Sequence, residues 1–260
     1  MTSVSPKKSF GQHFLVDRNL LVVIERLANL SSGDVVLEVG PGLGVLTTFL
    51  ADRVRRVHTI ELDHALGAPL RDALGGRTNV DLVFGDALAV DLGVLYPPPS
   101  KLVANLPYNI ATPLIAETLI GVPTLASWCV MVQREVADRF FAEPGTKAYG
   151  AVSVLVRLHA RRTGLHPVSR TVFRPPPNVD SALVAFDRIP PPANAEQVRR
   201  VVTAAFGHRR KTLANSVALA GLATREDAVA ALETIGRRSD VRAEALQPGE
   251  FVRLTEALTA

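Results

Sequence analysis

Residues 40–44 read Gly-Pro-Gly-Leu-Gly and stand between an apolar run and a helical pattern. Glycine at such a junction lets the backbone approach a ligand closely, because it has no Cβ. The spacing is G-x-G-x-G, whereas dinucleotide-binding loops have G-x-G-x-x-G, and the residue at that third position is Val45. Pro41 also lacks the N–H that a pyrophosphate would use. The loop therefore indicates a ligand without phosphates, the alternative being a purely structural turn.

Acidic side chains follow the next two apolar runs. Glu61 stands 21 positions after Gly40, where an acidic residue accepts hydrogen bonds from two ribose hydroxyls; the alternative is a strand-end carboxylate in water. Asp86 follows a third run and suits a carboxylate that accepts from the exocyclic amine of adenine. Together these positions describe a nucleoside pocket without a phosphate cradle. S-adenosylmethionine is a common cofactor of that description.

Residues 105–108 read Asn-Leu-Pro-Tyr and suit the activation of an amine. The exocyclic nitrogen of adenine is a poor nucleophile because its lone pair is delocalised into the ring. The Asn105 side-chain oxygen and the Leu106 carbonyl can each accept one amine hydrogen, which localises that pair. Pro107 would fix the turn, and Tyr108 offers a ring on which an extruded base can stack. The alternative is a structural turn with a packed tyrosine.

The elements that must position these residues alternate between strands and helices. Apolar runs predict strands over 35–39, 57–60, 80–84, 102–104 and 128–132, with helices over 45–51 and 66–74 and another starting near Asp17. This alternation predicts a doubly wound α/β fold with a mostly parallel sheet. Ligands of such sheets lie at the carboxyl ends of the strands, where the residues above all stand.

The pattern changes after residue 149. A helix over 149–158 is followed by an antiparallel strand pair over 159–168 and 181–186, around the proline-rich residues 174–178. Residues 189–192 read Ile-Pro-Pro-Pro and indicate a linker. Helices are predicted over 196–206, 212–219, 225–235 and 249–258. We therefore expect a first domain over 1–188, which includes a capping segment over 1–16, and a small all-α domain over 189–260.

Composition bounds the class of protein. The 260 residues are 47% hydrophobic and 21% charged, which is typical of a globular chain. A net charge of +4 permits a polyanionic partner without requiring one. The single cysteine, Cys129, lies in an apolar run and is expected to pack in the core, and no His/Cys cluster has zinc-ligand spacing, so we predict no metal. We expect a cytoplasmic protein without a membrane span.

Five segments, in order along nearly the full chain, resemble the small-subunit (16S) ribosomal RNA adenine N6,N6-dimethyltransferases of the kasugamycin-sensitivity (KsgA) family. They are Phe-Gly-Gln-His-Phe-Leu at 10–15, Glu-Val-Gly-Pro-Gly-Leu-Gly at 38–44, Asn-Leu-Pro-Tyr-Asn-Ile-Ala-Thr at 105–112, Phe-Arg-Pro-Pro-Pro-Asn-Val-Asp-Ser-Ala at 173–182 and Phe-Gly-His-Arg-Arg-Lys-Thr-Leu at 206–213. The resemblance implies a seven-stranded Rossmann-like methyltransferase sheet with an antiparallel last strand. It also implies a helical RNA-binding domain.

The resemblance also implies roles for matching residues. The cofactor contacts would come from Gln12, His13, Leu15, Gly40, Gly42, Gly44, Glu61, Asp86 and Asn105. Family members often carry Asn where this chain has His13. Tyr108 and Phe173 would sandwich the target adenine, although a phenylalanine ahead of three prolines is also a common core anchor.

A basic triplet, Arg209, Arg210 and Lys211, precedes the helical pattern at 212–219. Cations at a helix start are unfavourable unless an anion sits there, and an RNA phosphate would supply one; the alternative is a solvated basic turn.

The predicted activity is methyl transfer from S-adenosylmethionine to N6 of two adjacent adenines in a 3′-end hairpin of 16S ribosomal RNA. The predicted substrate is RNA within a pre-30S subunit, and the enzyme is expected to act as a monomer. Two alternatives are a large-subunit adenine methyltransferase of the macrolide-resistance type and a non-catalytic RNA-binding assembly factor.

Overall fold

The structure is a computed structural model that describes residues 12–208 and 210–259. The predicted RNA contact Arg209 and the start of the first matching segment, Phe10 and Gly11, therefore lie outside the described residues.

The described residues form nine strands and ten α-helices. The strands are β1 (Phe14–Leu15), β2 (Val35–Val39), β3 (Arg56–Glu61), β4 (Val80–Phe84), β5 (Lys101–Asn105), β6 (Ser127–Gln133), β7 (Ala160–Val168), β8 (Phe173–Arg174) and β9 (Ser181–Arg188). The helices are α1 (Asn19–Ala28), α2 (Val45–Ala51), α3 (Gly67–Leu74), α4 (Ala111–Gly121), α5 (Arg134–Phe140), α6 (Ala151–His159), α7 (Ala195–Phe206), α8 (Leu213–Leu219), α9 (Arg225–Thr234) and α10 (Pro248–Thr259). None of the helices in this part of the chain is long and apolar enough to cross a membrane.

Seven strands form one sheet in the order β4-β3-β2-β5-β6-β9-β7. The first five in that order are parallel neighbours, and β9 runs antiparallel to β6, with Met131 opposite Leu183. The order reverses between β2 and β5, where the crossovers on either side leave a crevice at the carboxyl ends of the strands. The predicted seven-stranded, mostly parallel sheet with an antiparallel last strand is confirmed.

Helices cover both faces of the sheet, as the alternation of side chains along β6 makes clear. Cys129 and Met131 point into an apolar cluster that also contains Ile24 of α1 and Leu50 of α2. Trp128 faces the other way and donates from Nε1 to the hydroxyl of Thr118 in α4 at 3.1 Å. Because successive side chains on a strand point to opposite faces, both faces of this strand are buried. Cys129 is thus a core residue, as predicted.

A second, two-stranded sheet joins distant parts of the chain. β1 pairs antiparallel with β8, so that Leu15 lies opposite Phe173. The N–H of Val16 also donates to the carbonyl of Val172 at 2.9 Å. This pairing fastens the start of the described chain to the proline-rich loop.

Contacts divide the chain into two compact units, one of Met1–Ala137 with Arg162–Arg188 and one of Asp138–Arg161 with Ile189–Ala260. The predicted boundary after residue 188 coincides with this division. Residues 138–161, which we assigned to the first domain, belong to the second unit, because α6 packs against α7 and α10. Within that unit the Tyr149 hydroxyl donates to the carbonyl of Leu246 at 2.7 Å.

Candidate active site

The carboxyl ends of β2, β3, β4 and β5 open into one cavity. Eight of the nine predicted cofactor-binding residues line it: Gln12, His13, Leu15, Gly40, Gly42, Glu61, Asp86 and Asn105. Leu106, Pro107 and Tyr108 line it as well. The sheet topology thus brings together residues that lie up to 96 positions apart, from 12 to 108.

The glycine loop lies directly against the turn that follows β5. Gly40 has a φ of +76°, and a Cβ there would lie 3.0 Å from Cγ and Cδ of Pro107. Gly42 has a φ of +57°, and its added Cβ would lie 2.9 Å from the Phe14 ring. Both positions therefore need glycine for backbone conformation and for space. The backbone of this loop therefore forms part of the cavity wall.

Gly44 does not line the cavity, contrary to our prediction. It has a φ of +79° as the residue before α2, and a Cβ there would lie 2.9 Å from Cδ1 of Leu70 in α3. The third glycine of the loop therefore lets α2 and α3 pack closely.

Glu61 is buried and connects two parts of the cavity wall. Oε2 accepts from the N–H of Gly42 at 3.2 Å, and Oε1 accepts from the N–H of Asp63 at 2.8 Å. Burial raises the pKa of the Glu61 carboxyl above its ordinary value, and these two hydrogen bonds oppose the rise. Because each carboxylate oxygen has a second lone pair, Glu61 retains acceptor capacity for hydroxyls of a ligand.

Residues 12–15, which precede α1, also line the cavity. Gln12 Nε2 donates to Oδ2 of Asp63, two residues after Glu61, at 3.0 Å. His13 Nδ1 lies 2.8 Å from the carbonyl of Pro175, and since a carbonyl only accepts, Nδ1 carries the proton. This segment is therefore held both by the β3 end and by the proline-rich loop.

Asn105 ends β5 with its amide group oriented by the protein. Nδ2 donates to the carbonyl of His13 at 3.1 Å, which directs Oδ1 as the remaining acceptor. The N–H of Leu106 donates to the carbonyl of Met131 at 3.0 Å, which anchors the turn to β6. Both predicted acceptors, Asn105 Oδ1 and the Leu106 carbonyl, thus belong to one rigid turn at the cavity.

Tyr108 presents its ring at the same turn. Its hydroxyl and the buried Ser181 hydroxyl are 2.6 Å apart, and its ring centroid lies 5.6 Å from that of His13. Burial raises the pKa of the Tyr108 phenol, so the hydroxyl remains protonated near neutral pH. Asp86 is exposed at the cavity rim, where Oδ1 accepts from the N–H of Leu88 at 2.9 Å.

The structure does not place Phe173 in the cavity wall. Its side chain is 2% exposed and belongs to the apolar cluster with Leu15 and Leu183. The pairing of Phe173 with Leu15 turns the ring into this cluster, so the predicted sandwich with Tyr108 is not formed. Here the core-anchor interpretation describes the structure correctly.

A model of the family described as ribosomal RNA adenine dimethylase matches residues 4–260. The chain belongs to the ribosomal RNA adenine dimethylase family. The match confirms the resemblance found in the five sequence segments.

Relatives of this dimethylase family agree with that assignment. Ribosomal RNA small subunit methyltransferase A of Rubrobacter xylanophilus is 48% identical over 96% of this chain and 94% of the relative. The protein of the same name from Pelotomaculum thermopropionicum is 42% identical over 98% of this chain and 92% of its own. These names support the small-subunit type over the large-subunit type.

Solved structures of similar fold include a dimethyladenosine transferase from Plasmodium falciparum, with a TM-score of 0.75 and 25% identity over 93% of this chain and 96% of that one. The 23S rRNA methyltransferase ErmE has a TM-score of 0.65 and 30% identity over 95% of this chain and 100% of that one. The predicted Rossmann-like methyltransferase fold is confirmed.

One residue of the dimethylase site had no role in the sequence-based prediction. Glu38 lies within β2, is 1% exposed and lines the cavity. Burial raises its pKa to about 7, although the nearby hydroxyls of Thr47 and Thr59 lower it. Its Oε2 has no hydrogen-bond partner among the described residues. A single carboxyl inside the apolar run Val-Val-Leu-Glu-Val was the signal that could have found it.

Of the predicted RNA contacts, Arg210 and Lys211 are exposed in the turn before α8, where the Lys211 N–H donates to the carbonyl of His208 at 3.0 Å. No group of three His, Cys, Asp or Glu side chains within residues 12–208 and 210–259 could hold a metal ion. The prediction that the family member needs no metal stays a prediction.

Proposed function

We propose that the cavity binds S-adenosylmethionine and that the enzyme methylates N6 of two adjacent adenines in a 3′-end hairpin of 16S ribosomal RNA. Membership of the ribosomal RNA adenine dimethylase family supports the activity. The observation that carries the proposal is the turn after β5, where Asn105 is oriented by His13 to present an acceptor oxygen at the cavity.

The cavity fits this cofactor on its own chemistry. The glycine loop brings backbone to the cavity wall where no side chain would fit. Glu61 would accept from the two ribose hydroxyls through its remaining lone pairs, and Asp86 would accept from the adenine amine. Gln12, His13 and Leu15 would cover the cofactor from the segment before α1. The loop has no N–H at Pro41, which suits a nucleoside that carries no phosphate.

When bound, S-adenosylmethionine supplies an electrophilic methyl carbon. The chain contributes the alignment of the nucleophile: Asn105 Oδ1 and the Leu106 carbonyl each accept one hydrogen of the N6 amine, which localises its lone pair and directs it toward that carbon. Tyr108 supports the extruded base on its ring, and its hydrogen bond to Ser181 fixes the ring plane. No base is needed to deprotonate the amine before the transfer.

We assign RNA binding in the second unit to the basic turn before α8. Arg210 and Lys211 are exposed there and have no ion pair with any described residue, so they can contact phosphates. Arg209 completes the proposed triplet from outside the described residues. We further propose that the enzyme acts as a cytoplasmic monomer on a pre-30S subunit.

The experiment is incubation of the protein and S-adenosylmethionine with unmethylated small ribosomal subunits and, separately, with large-subunit RNA. Mass spectrometry then maps the modified adenosines. We expect dimethylated adenines in the small-subunit RNA alone. Methylation confined to large-subunit RNA would refute the substrate assignment. Binding of small subunits without any methyl transfer would instead support a non-catalytic assembly factor.

A further inference from the structure

A second recess opens in the first unit, where β6 ends and β9 begins. We propose that it binds the adenine nucleotide next to the target adenine, an inference that rests on the proposed function. The recess, which we call the flanking recess, is lined by Gln133, Arg134, Arg170, Asn178, Val179 and Asp180.

The flanking recess begins beside the residue that holds Tyr108. Gln133 lies directly opposite Ser181 in the β6–β9 register, and the Ser181 hydroxyl is 2.6 Å from the Tyr108 hydroxyl. The N–H of Arg134 donates to the carbonyl of Asp180 at 3.0 Å, which joins the two sides of the recess. One phosphodiester links neighbouring nucleotides. When the target adenine stacks on the Tyr108 ring, the next nucleotide therefore lies near the flanking recess.

Four polar side chains of the flanking recess are available to a ligand. Within the part of the chain that the structure describes, no hydrogen bond or ion pair occupies the side chains of Gln133, Asn178, Asp180 or Arg170. These four side chains are two amides, one carboxylate and one guanidinium. This mixture of donors and acceptors suits the edge of a base better than a phosphate alone.

The groups match adenine in particular. A side-chain amide such as that of Gln133 or Asn178 binds adenine through two hydrogen bonds, one to the exocyclic amine and one to a ring nitrogen. The Asp180 carboxylate can also accept from that amine. Val179 is 47% exposed and offers an apolar contact for the base, and Arg170 can pair with the adjoining phosphate.

The test uses RNA hairpins with the target adenine in place. The hairpins carry adenosine on both sides of the target, and the 5′ and the 3′ neighbour are replaced in turn by purine riboside, which lacks only the exocyclic amine. Affinity is measured by fluorescence anisotropy. The kcat/KM of methyl transfer is measured at the target adenine alone, because an adjacent adenine is itself a substrate. For the wild-type chain we expect one of the two replacements to lower both by at least about fivefold, because a bidentate base contact gives discrimination of at least this size.

The variants are Asn178→Ala and Arg170→Ala, with Arg55→Ala as the matched control. Arg55 is exposed and unpaired in the described structure like Arg170, but it precedes β3, which β2 and β5 separate from β6 in the sheet. We expect Asn178→Ala to bind the adenosine and purine hairpins equally, and Arg170→Ala to weaken both. Arg55→Ala should behave as the wild type.

Equal wild-type affinity for all hairpins, or an unchanged preference in Asn178→Ala, would overturn the flanking recess. Because affinity is measured without turnover, this result is separate from the proposed function. If the parent hairpin is methylated but replacing its neighbours has no effect, only the proposal for the flanking recess is refuted. If replacing a neighbour lowers affinity but no methyl group is transferred, only the proposed catalytic activity is refuted.

Discussion

The close approach of the glycine loop to the turn after β5 makes Gly40→Ala a quantitative test of the site. The φ of +76° at Gly40 costs an alanine ~1–2 kcal/mol. The new Cβ would also lie 3.0 Å from two carbons of the rigid Pro107 ring, and such overpacking costs ~1–3 kcal/mol. We therefore expect the variant to lose ~2–5 kcal/mol of its unfolding free energy.

Gly76→Ala is the matched control for this variant. Gly76 has a φ of +72°, and a Cβ there meets nothing within 4 Å among the described residues. It should lose only the conformational part, ~1–2 kcal/mol. The difference between the two variants therefore isolates the contact with Pro107.

Denaturant unfolding measures both losses, and calorimetry with S-adenosylhomocysteine measures cofactor affinity. We expect Gly40→Ala to weaken affinity by at least about tenfold, or ~1.4 kcal/mol, because the loop must move away from the turn. Gly76→Ala should leave affinity unchanged. If the two variants lose equal stability and bind equally well, the loop does not cradle a ligand against the turn.

Three further predictions concern the site and the core. Asn105→Ala should lower kcat by roughly 10²–10³-fold while S-adenosylhomocysteine binding stays measurable, so near-normal single-turnover rates would contradict the acceptor role. Between pH 4.5 and 7 native Glu38 holds a proton that the unfolded chain has released, so its contribution to stability falls as pH rises through this window. Glu38→Gln should remove that loss, which amounts to ~3 kcal/mol by pH 8. If the unfolding free energies of the variant and the wild type change equally with pH across this range, the raised pKa of Glu38 is refuted. Phe173→Ala should lose ~3–5 kcal/mol of unfolding free energy, whereas Phe173→Leu should keep most of it. A stable Phe173→Leu variant that no longer transfers methyl groups would instead show that the Phe173 ring acts in the active site.

The sequence by itself determined the alternation of β2 to β6 with α2 and α3 in the first unit. Its β2, β4 and α2 have the predicted bounds, because apolar periodicity and glycine turns are local properties. It did not predict α4, which begins within the segment 105–112, or α5, which begins directly after β6. The residues at the strand ends were also found from sequence, since a parallel sheet brings its carboxyl ends to one edge.

Only the tertiary structure decided which way individual side chains turn. Gly44 faces α3 and not the cavity, since helix packing sets its neighbours. Phe173 turns into the core because β8 pairs with β1, a contact between segments 158 positions apart that no local pattern reports. The carboxyl of Glu38 has a raised pKa because the folded sheet removes it from water, and a linear sequence does not specify that environment.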